Sequence, residues 1–405
     1  MKPMHILLLL CGSCIVFPAA QAAENTLEAA AQGIELAHRY LLIDTHLDVP
    51  ERLENNWEDV TRATEQGNFD YERARRGGLD VPFMSIYTPA ESEAEGTSYA
   101  LANRLIDRVE AMAGRAPEKF ALVRTAAEAE QARARGLIGL AMGMENGSPI
   151  DGKLENVAFF RHRGISYITL AHSLNNHISD SSYDEHRQWH GLSPFGRQLI
   201  GAMNREGIMV DISHVSDEAF YQVLELSAVP VIASHSSARY FTPGFERNMS
   251  DEMIKALAAK GGVIMINFGS SFLTAEAMQW YEQMKEARKQ SLEQTGADDR
   301  VPDPEQFFKA YREDHPFPFA NLDDLVAHFT HVIDLVGVDH VGIGSDFDGL
   351  GDSLPEGMKD VSCYPALVER LLKKGYSPND IEAILGGNLL RVWKAAEEYA
   401  ARTGG

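Results

Sequence analysis

The chain has 405 residues, 59 acidic against 37 basic side chains, a formal net charge of −22 and 44% apolar residues. Such acidity repels phosphate backbones and speaks against a nucleic-acid partner. The apolar share can bury a sizeable core, and although the length admits two domains, an eight-stranded α/β barrel with insertions also fills it as one.

At the N-terminus, Lys2 precedes the apolar stretch from Ile6 to Leu10, Cys11 to Phe17 follow, and Ala20-Gln21-Ala22 fits a small-x-small cleavage site. Residues 1–22 therefore read as a secretory signal peptide, with 23–405 as one mature domain. The apolar run falls short of the ~20 residues that cross a bilayer, so no integral membrane span is expected. Such a leader places the mature chain outside the cytoplasm, in a bacterium the periplasm. Lipidation at Cys14 is a poor match, because Cys11-Gly12-Ser13 stand before it. Cleavage removes the charge of Lys2, taking −22 to −23, and leaves Cys363 as the only cysteine. No intramolecular disulfide can then form.

Apolar, strand-like runs lie near 41–46, 80–87, 137–143, 165–171, 207–212, 229–233, 262–268 and 340–344. Most are separated by segments with helical periodicity, such as 98–114, 194–207 and 251–262. Strand alternating with helix at this spacing predicts parallel βαβ units, and eight of them predict closure into a (β/α)8 TIM-type barrel. Residues 270–320 break the rhythm. Long, charged and helical in pattern, they predict a helical insertion between strands seven and eight, of a kind that often covers an active site. The tail after Trp393 and the loop 181–194 read as the weakly structured parts.

Six of the runs end in side chains that bind metals or move protons: His46 and Asp48 in LLIDTHLD, Glu145 in LIGLAMGMEN, His172 in ISYITLAH, His214 in IMVDISH, His235 in VPVIASH and Asp346 in HVGIGSDFDG. Barrel enzymes carry their chemistry at the carboxyl ends of the strands, and these residue types point to a metal-dependent hydrolase. His46 and Asp48 are alternate residues at a strand end, so both face one side and can reach one cation. An HxD pair alone is commonplace. His214 and His235 add weight to it, since each closes an apolar run as Ser-His, where a buried imidazole needs a partner. A carboxylate has two oxygens and can bridge two cations, and no strand end carries the lysine that a carbamate bridge would need. Glu145 is thus the candidate bridge, with His46 and Asp48 completing one site and His214 and His235 the other.

The strings IDTHLDVP, GMENG, TLAHSLNN, GLSPFGRQLIGAMNREGIMVDISHVS, ASHSSAR, ERNMSDE and VGIGSDFDG resemble those of the membrane dipeptidase (renal dipeptidase) family, zinc peptidases of the amidohydrolase superfamily. They occur in the family's order over about residues 40–390. The resemblance implies two zinc ions per chain, one on His46 and Asp48, the other on His214 and His235, with Glu145 shared. It also implies that Asp346 is the proton-transferring carboxylate and that His172 contacts substrate and stabilises the tetrahedral intermediate. Arg247 matches the arginine that pairs with the substrate carboxylate. Two departures bear on substrate preference. Leu174 stands where mammalian members carry a disulfide cysteine, and Asn267-Phe268-Gly269 lacks an aromatic associated with their substrate binding.

The expected reaction is hydrolysis of dipeptides, L-Xaa-L-Xaa and L-Xaa-D-Xaa, by a hydroxide held between the two metals, since even one zinc brings bound water to a pKa of ~7. His172 would donate to the oxyanion and Asp346 would carry the proton to the leaving amine. Arg247 would measure one residue beyond the scissile bond. Asp348 reads as a loop cap. His177, His186, His190, His328, His331 and His340 read as structural or solvated, with His190 the one to watch as a pocket lining. The alternatives are another amidohydrolase activity, such as N-acyl-amino-acid deacylation or lactone hydrolysis, and a non-catalytic periplasmic protein that binds metal or peptide. The sequence leaves a homodimer open.

Overall fold

The structure, a computed structural model, describes residues 18–295 and 304–403. Residues 1–17 of the expected leader lie outside the described residues, and a single helix runs over Pro18–Arg39. Among the described residues, no helix is long and apolar enough to cross a membrane.

Nine strands follow: β1 (Ile43–Leu47), β2 (Val81–Tyr87), β3 (Phe120–Leu122), β4 (Ile138–Glu145), β5 (Ile165–Thr169), β6 (Met209–Asp211), β7 (Ile232–Ala233), β8 (Val263–Ile266) and β9 (Val341–Ile343). Eight of them run in parallel in the order β1-β2-β4-β5-β6-β7-β8-β9. The circle is completed by loops rather than a regular ladder. Asp346 N–H donates to the His46 carbonyl at 3.0 Å, and Asp48 N–H to that of Phe347 at 2.8 Å. Beneath them the Asp44 carboxylate accepts the Ser345 N–H at 2.9 Å and the Tyr364 hydroxyl at 2.6 Å, bracing β1 against the end of β9. The fold is a nearly closed (β/α)8 TIM-type barrel, as the eight apolar runs predict. The short β3, which pairs with β4 outside the circle, is an addition to that prediction.

The strands are buried on both faces, which is why they read as unbroken apolar runs. One set of alternating residues, including Val81, Phe83, Ala141, Tyr167, Ile232 and Val263, packs into a single cluster around Trp393. Trp393 comes from the helix Asn388–Thr403 and rests on Phe83 with ring centroids 5.1 Å apart. The tail expected to be weakly structured is therefore helical, because Leu389, Val392, Trp393 and Ala396 place one apolar face against the barrel. The other set, such as Met84, Leu140, Ile168 and Ile264, joins the larger cluster formed with the outer helices.

The predicted insertion lies where expected, between β8 and β9. It comprises helices Ser270–Leu273, Ala275–Thr295 and Pro304–Asp314. Its own small core is Ala277, Trp280, Met284 and Phe317, and the Trp280 indole donates to the His315 carbonyl at 2.9 Å.

His328 ties this region to the barrel. Its Nδ1 accepts the Ala238 N–H at 3.1 Å, so its Nε2–H donates to the Leu273 carbonyl at 3.0 Å. Burial pushes this imidazole down to about 4, so it is neutral in the fold. The folded value lies below the ordinary ~6.5 of an unfolded chain, so stability present above that pH is lost on acidification through the window down to about 4, by about 3 kcal/mol. Urea unfolding of the wild type and of His328→Gln across pH 7 to 4 checks this. The wild type should lose about 3 kcal/mol more than the variant, and parallel pH curves would refute it.

Candidate active site

All the strand-end residues meet at the carboxyl end of the barrel. His46 lies within β1 with Asp48 just past it, and Glu145 is the last residue of β4. His172, His214 and Asp346 sit three residues beyond β5, β6 and β9, and His235 two beyond β7. Two of these positions are backbone outliers, with φ of 69° at His214 and 65° at Asp346. A non-glycine residue held there costs on the order of 1 kcal/mol or more, and the strain turns both side chains inward from the ends of their strands.

Glu145 is the hub. Its Oε1 lies 3.1 Å from His214 Nε2, 3.3 Å from His235 Nε2 and 3.6 Å from His172 Nε2, while Oε2 lies 3.4 Å from His46 Nε2. The Asp48 carboxylate is 3.5 Å from the same His46 nitrogen. Ligand-type atoms fall into three mutually close groups: His46, Glu145 and His235; Glu145, His172 and His214; and His46, Asp48 and Asp346. Every residue expected to ligate is included, but His235 also neighbours His46, and His172 stands in the group with His214.

Counting protons shows what this cluster lacks. The Tyr167 hydroxyl has one hydrogen, donated to the Thr45 carbonyl at 2.9 Å, so the 2.9 Å contact with His46 must be donated by His46 Nδ1. His46 Nε2 then carries a lone pair, buried, without a hydrogen-bond partner and facing two carboxylates. The same logic fixes His235. Ser234 donates to the Asp211 carboxylate at 2.6 Å, so His235 Nδ1 donates to Ser234 Oγ at 2.7 Å. Its Nε2 lone pair faces Glu145 Oε1 and, at 2.8 Å, His214 Nε2. Buried lone pairs aimed at carboxylates demand positive charge between them.

Titration points the same way. Burial opposes a charge on His46, yet Tyr167, Glu145 and Asp48 outweigh it and raise the imidazole well above its usual value, so without a cation a proton takes the Nε2 lone pair and supplies the positive charge that a metal would bring in its place. Burial and the charge of Arg247 hold His214 well below the usual range, and burial with the neighbouring His46 does so for His235, so both offer neutral lone pairs. Burial resists ionisation of Glu145, but the surrounding imidazoles hold it well below the usual carboxylate range. The donor set of imidazoles and carboxylates suits zinc-like divalent ions.

A cavity of about 610 Å³ opens above these atoms, lined among others by Asp48, Glu145, His172, His214 and Asp346. Burial and the Asp48 charge push Asp346 up to about 8. Asn267 donates to its Oδ2 at 2.8 Å, leaving Oδ1 directed at the cavity side of Gly349, where an added Cβ would sit 2.6 Å away. Arg247 does not line the cavity. It is buried behind Phe272 and donates two N–H groups to Ser236 Oγ and the His235 carbonyl, both at 2.7 Å, while its Nε has no partner among the described residues. Asp348 is a loop brace, held by Arg52 and the Asn68 N–H. His190 is exposed and outside the cavity wall, contrary to the pocket role watched for it.

Several contributors escaped sequence reading. Tyr167 and the pair Asp211 and Ser234 orient the imidazoles, Asn267 holds Asp346, and Glu51, Tyr87 and Tyr183 line the cavity. One signal was available in Gly143, two before Glu145. A Cβ there would meet the Tyr167 ring at 1.9 Å, so only glycine lets that ring cross to His46.

A barrel that gathers imidazoles and carboxylates round a cavity at its strand ends is the architecture of metal-dependent hydrolases. The family model for "Membrane dipeptidase (Peptidase family M19)" matches residues 30–404. An uncharacterized dipeptidase of Schizosaccharomyces pombe is 31% identical over 377 residues, covering 88% of this chain and 81% of its own. Dipeptidase 3 of Mus musculus is 28% identical, with 92% and 68% covered. Among solved structures, a probable dipeptidase from Pseudomonas aeruginosa superposes with a TM-score of 0.79 at 25% identity, covering 92% of this chain and all of the other. The chain belongs to the membrane dipeptidase family and is a dipeptidase of metallopeptidase type.

Removing the hub should empty the site. Glu145→Ala is expected to purify without its cations, measured as metal per chain, and two retained equivalents would refute the shared-carboxylate reading. Ser234→Ala, which touches no cation, should weaken metal retention about 10- to 100-fold in a chelator competition.

Proposed function

We propose that the chain is a dinuclear zinc dipeptidase acting on L-Xaa-L-Xaa and L-Xaa-D-Xaa substrates. The observation that carries this reading is the buried, unpartnered Nε2 of His46, set with Glu145 and Asp48 in a cluster that charge balance alone fits to cations. His46 and Asp48 would hold one ion and His214 and His235 the other, with Glu145 shared. When bound, the ions supply Lewis acidity and an activated water near neutral pH.

The remaining steps belong to the chain's own residues. Asp346 takes the proton of the attacking water at Oδ1, since Asn267 occupies Oδ2, and hands it to the leaving amine. Burial keeps His172 below its usual value, so it is a neutral imidazole whose one N–H is donated to the oxyanion as charge develops there. Arg247 attracts the substrate carboxylate from behind Phe272, with the Nε–H still unspent. A carboxylate anchor one residue past the scissile bond makes the configuration of that second residue secondary to its charge. Export as a single domain, residues 23–405, to the periplasm belongs to the same reading, and sequencing the N-terminus of the mature chain tests it.

Substituting Asp346 by Asn should leave metal content intact while kcat falls roughly 10²- to 10⁴-fold, and near-wild-type kcat would move the proton transfer elsewhere. His172→Ala should likewise keep its metal and lose roughly 10²- to 10³-fold in kcat. Loss of metal from that variant would make His172 a ligand.

Specificity is read from steady-state kinetics on Gly-D-Phe, Gly-L-Phe and Gly-L-Phe-amide. Both acids should be cleaved and the amide cleaved far more slowly, because only the acids carry the negative charge that Arg247 attracts. An amide cleaved as fast as the acid removes Arg247 from recognition, and preference for N-acetyl amino acids would favour a deacylase instead.

A further inference from the structure

The cavity carries one acid that neither the proposed ion sites nor the proton transfer uses. Glu51 lies in the first turn of the short helix Val49–Asn55, three residues past Asp48, and lines the same cavity. Burial and the charges of Asp48 and Glu145 push its carboxyl up to about 8, a shift that an ammonium beside it would oppose, and no hydrogen bond or ion pair engages it among the described residues. The cation next to it in sequence is committed elsewhere, since Arg52 pairs with Glu58 at 2.8 Å and Asp348 at 3.0 Å. Among the described residues the one lysine or arginine of the cavity wall, Lys285, belongs to the insertion and pairs with Glu282 at 3.1 Å. Among the acids of this wall Glu51 is therefore left without a counter-charge, whereas the guanidinium of Arg247 lies behind the wall that carries Phe272.

We propose that Glu51 reads the free α-ammonium group of the substrate, so that the chain selects dipeptides with an unblocked N-terminus. The proposal rests on the dipeptidase reading above and names the substrate class that site would take. Spacing supports it. Asp48 is the N-cap and Glu51 the third residue of the helix Val49–Asn55, positions whose side chains meet at the helix mouth. An α-nitrogen lies about 2.5 Å from the carbonyl carbon of its own residue by covalent geometry, and a charge-assisted hydrogen bond adds about 2.8 Å. A carbonyl attacked beside Asp48 thus brings its own ammonium within reach of Glu51. With Arg247 drawing the carboxylate and Glu51 the ammonium, the cavity matches a zwitterion that spans one peptide bond.

The test uses the full metal-loaded enzyme and its variants Glu51→Gln and Glu51→Asp, with kcat and KM for Gly-D-Phe and for N-acetyl-Gly-D-Phe, and metal content per chain. The wild type should cleave the free dipeptide and discriminate against the blocked one. Glu51→Gln, nearly isosteric, should keep its metal, raise KM for the free dipeptide about 10- to 100-fold, as loss of a hydrogen bond to a charged group predicts, and narrow the discrimination by a similar factor with kcat little changed. Glu51→Asp, which restores the charge, should recover part of the KM. Unchanged KM and discrimination in Glu51→Gln, with normal wild-type turnover, would overturn the assignment of Glu51 alone. Metal lost from Glu51→Gln would overturn it in favour of a role in metal retention. No wild-type turnover of Gly-D-Phe would overturn the dipeptidase reading and this proposal with it.

Discussion

The rest of the site depends on one electrostatic constraint, the packing of the Glu145 carboxylate among four imidazole nitrogens with Asp48 close by. Protons alone satisfy this cluster poorly, because the Nδ1 hydrogens of His46 and His235 are already given to Tyr167 and Ser234. What remains at the centre is a buried set of imidazole nitrogens and negative oxygens that calls for positive charge between them. Such a set costs stability as it stands and repays it only when cations bind. Function and local instability are here the same feature.

A barrel tolerates such a centre because its costs are distributed over separate elements. The apolar interior around Trp393 and the outer layer beneath the helices lie on the strands themselves, while the strained positions lie beyond the strand ends. A left-handed residue at 214 or 346 therefore bends a loop without breaking a ladder. The supporting hydrogen bonds run sideways between neighbouring strand ends. Asp211 takes the Ser213 and Ser234 N–H groups at 3.0 and 2.8 Å, binding β6 to β7 just where His214 and His235 leave them. The imidazoles are thus aimed by a buried carboxylate that never enters the cavity.

Much of this was legible because its signals are local. A buried parallel strand is an apolar run, and a ligand at its end is the first polar residue after that run, so His46, Glu145, His214, His235 and Asp346 stood out by position. What stayed hidden depends on contacts between distant segments. Tyr167 reads as one more apolar residue of β5 until Gly143 on β4 is seen to make room for its ring. Ser234 and Asp211 look like ordinary strand-end polar residues. The strand β3 has only three residues and one fully buried side chain, too little for an apolar run to register. Arg247 could be matched to a motif, but its distance from the cavity surface is set by Phe272, which arrives from the insertion.

That insertion shows how specificity can be separated from catalysis. The atoms that would perform the reaction all sit on barrel strands or the loops immediately after them, whereas Ser271, Phe272, Tyr281, Lys285, Phe308 and Phe317 of the cavity wall come from 270–320. These residues have a core of their own around Trp280 and are tied to the barrel by hydrogen bonds such as those of His328 to Leu273 and of Asn248 to Phe272. A segment with its own core can change its rim residues without disturbing the Glu145 cluster. It can therefore reshape the entrance and the depth of the cavity while the charge balance below it stays fixed.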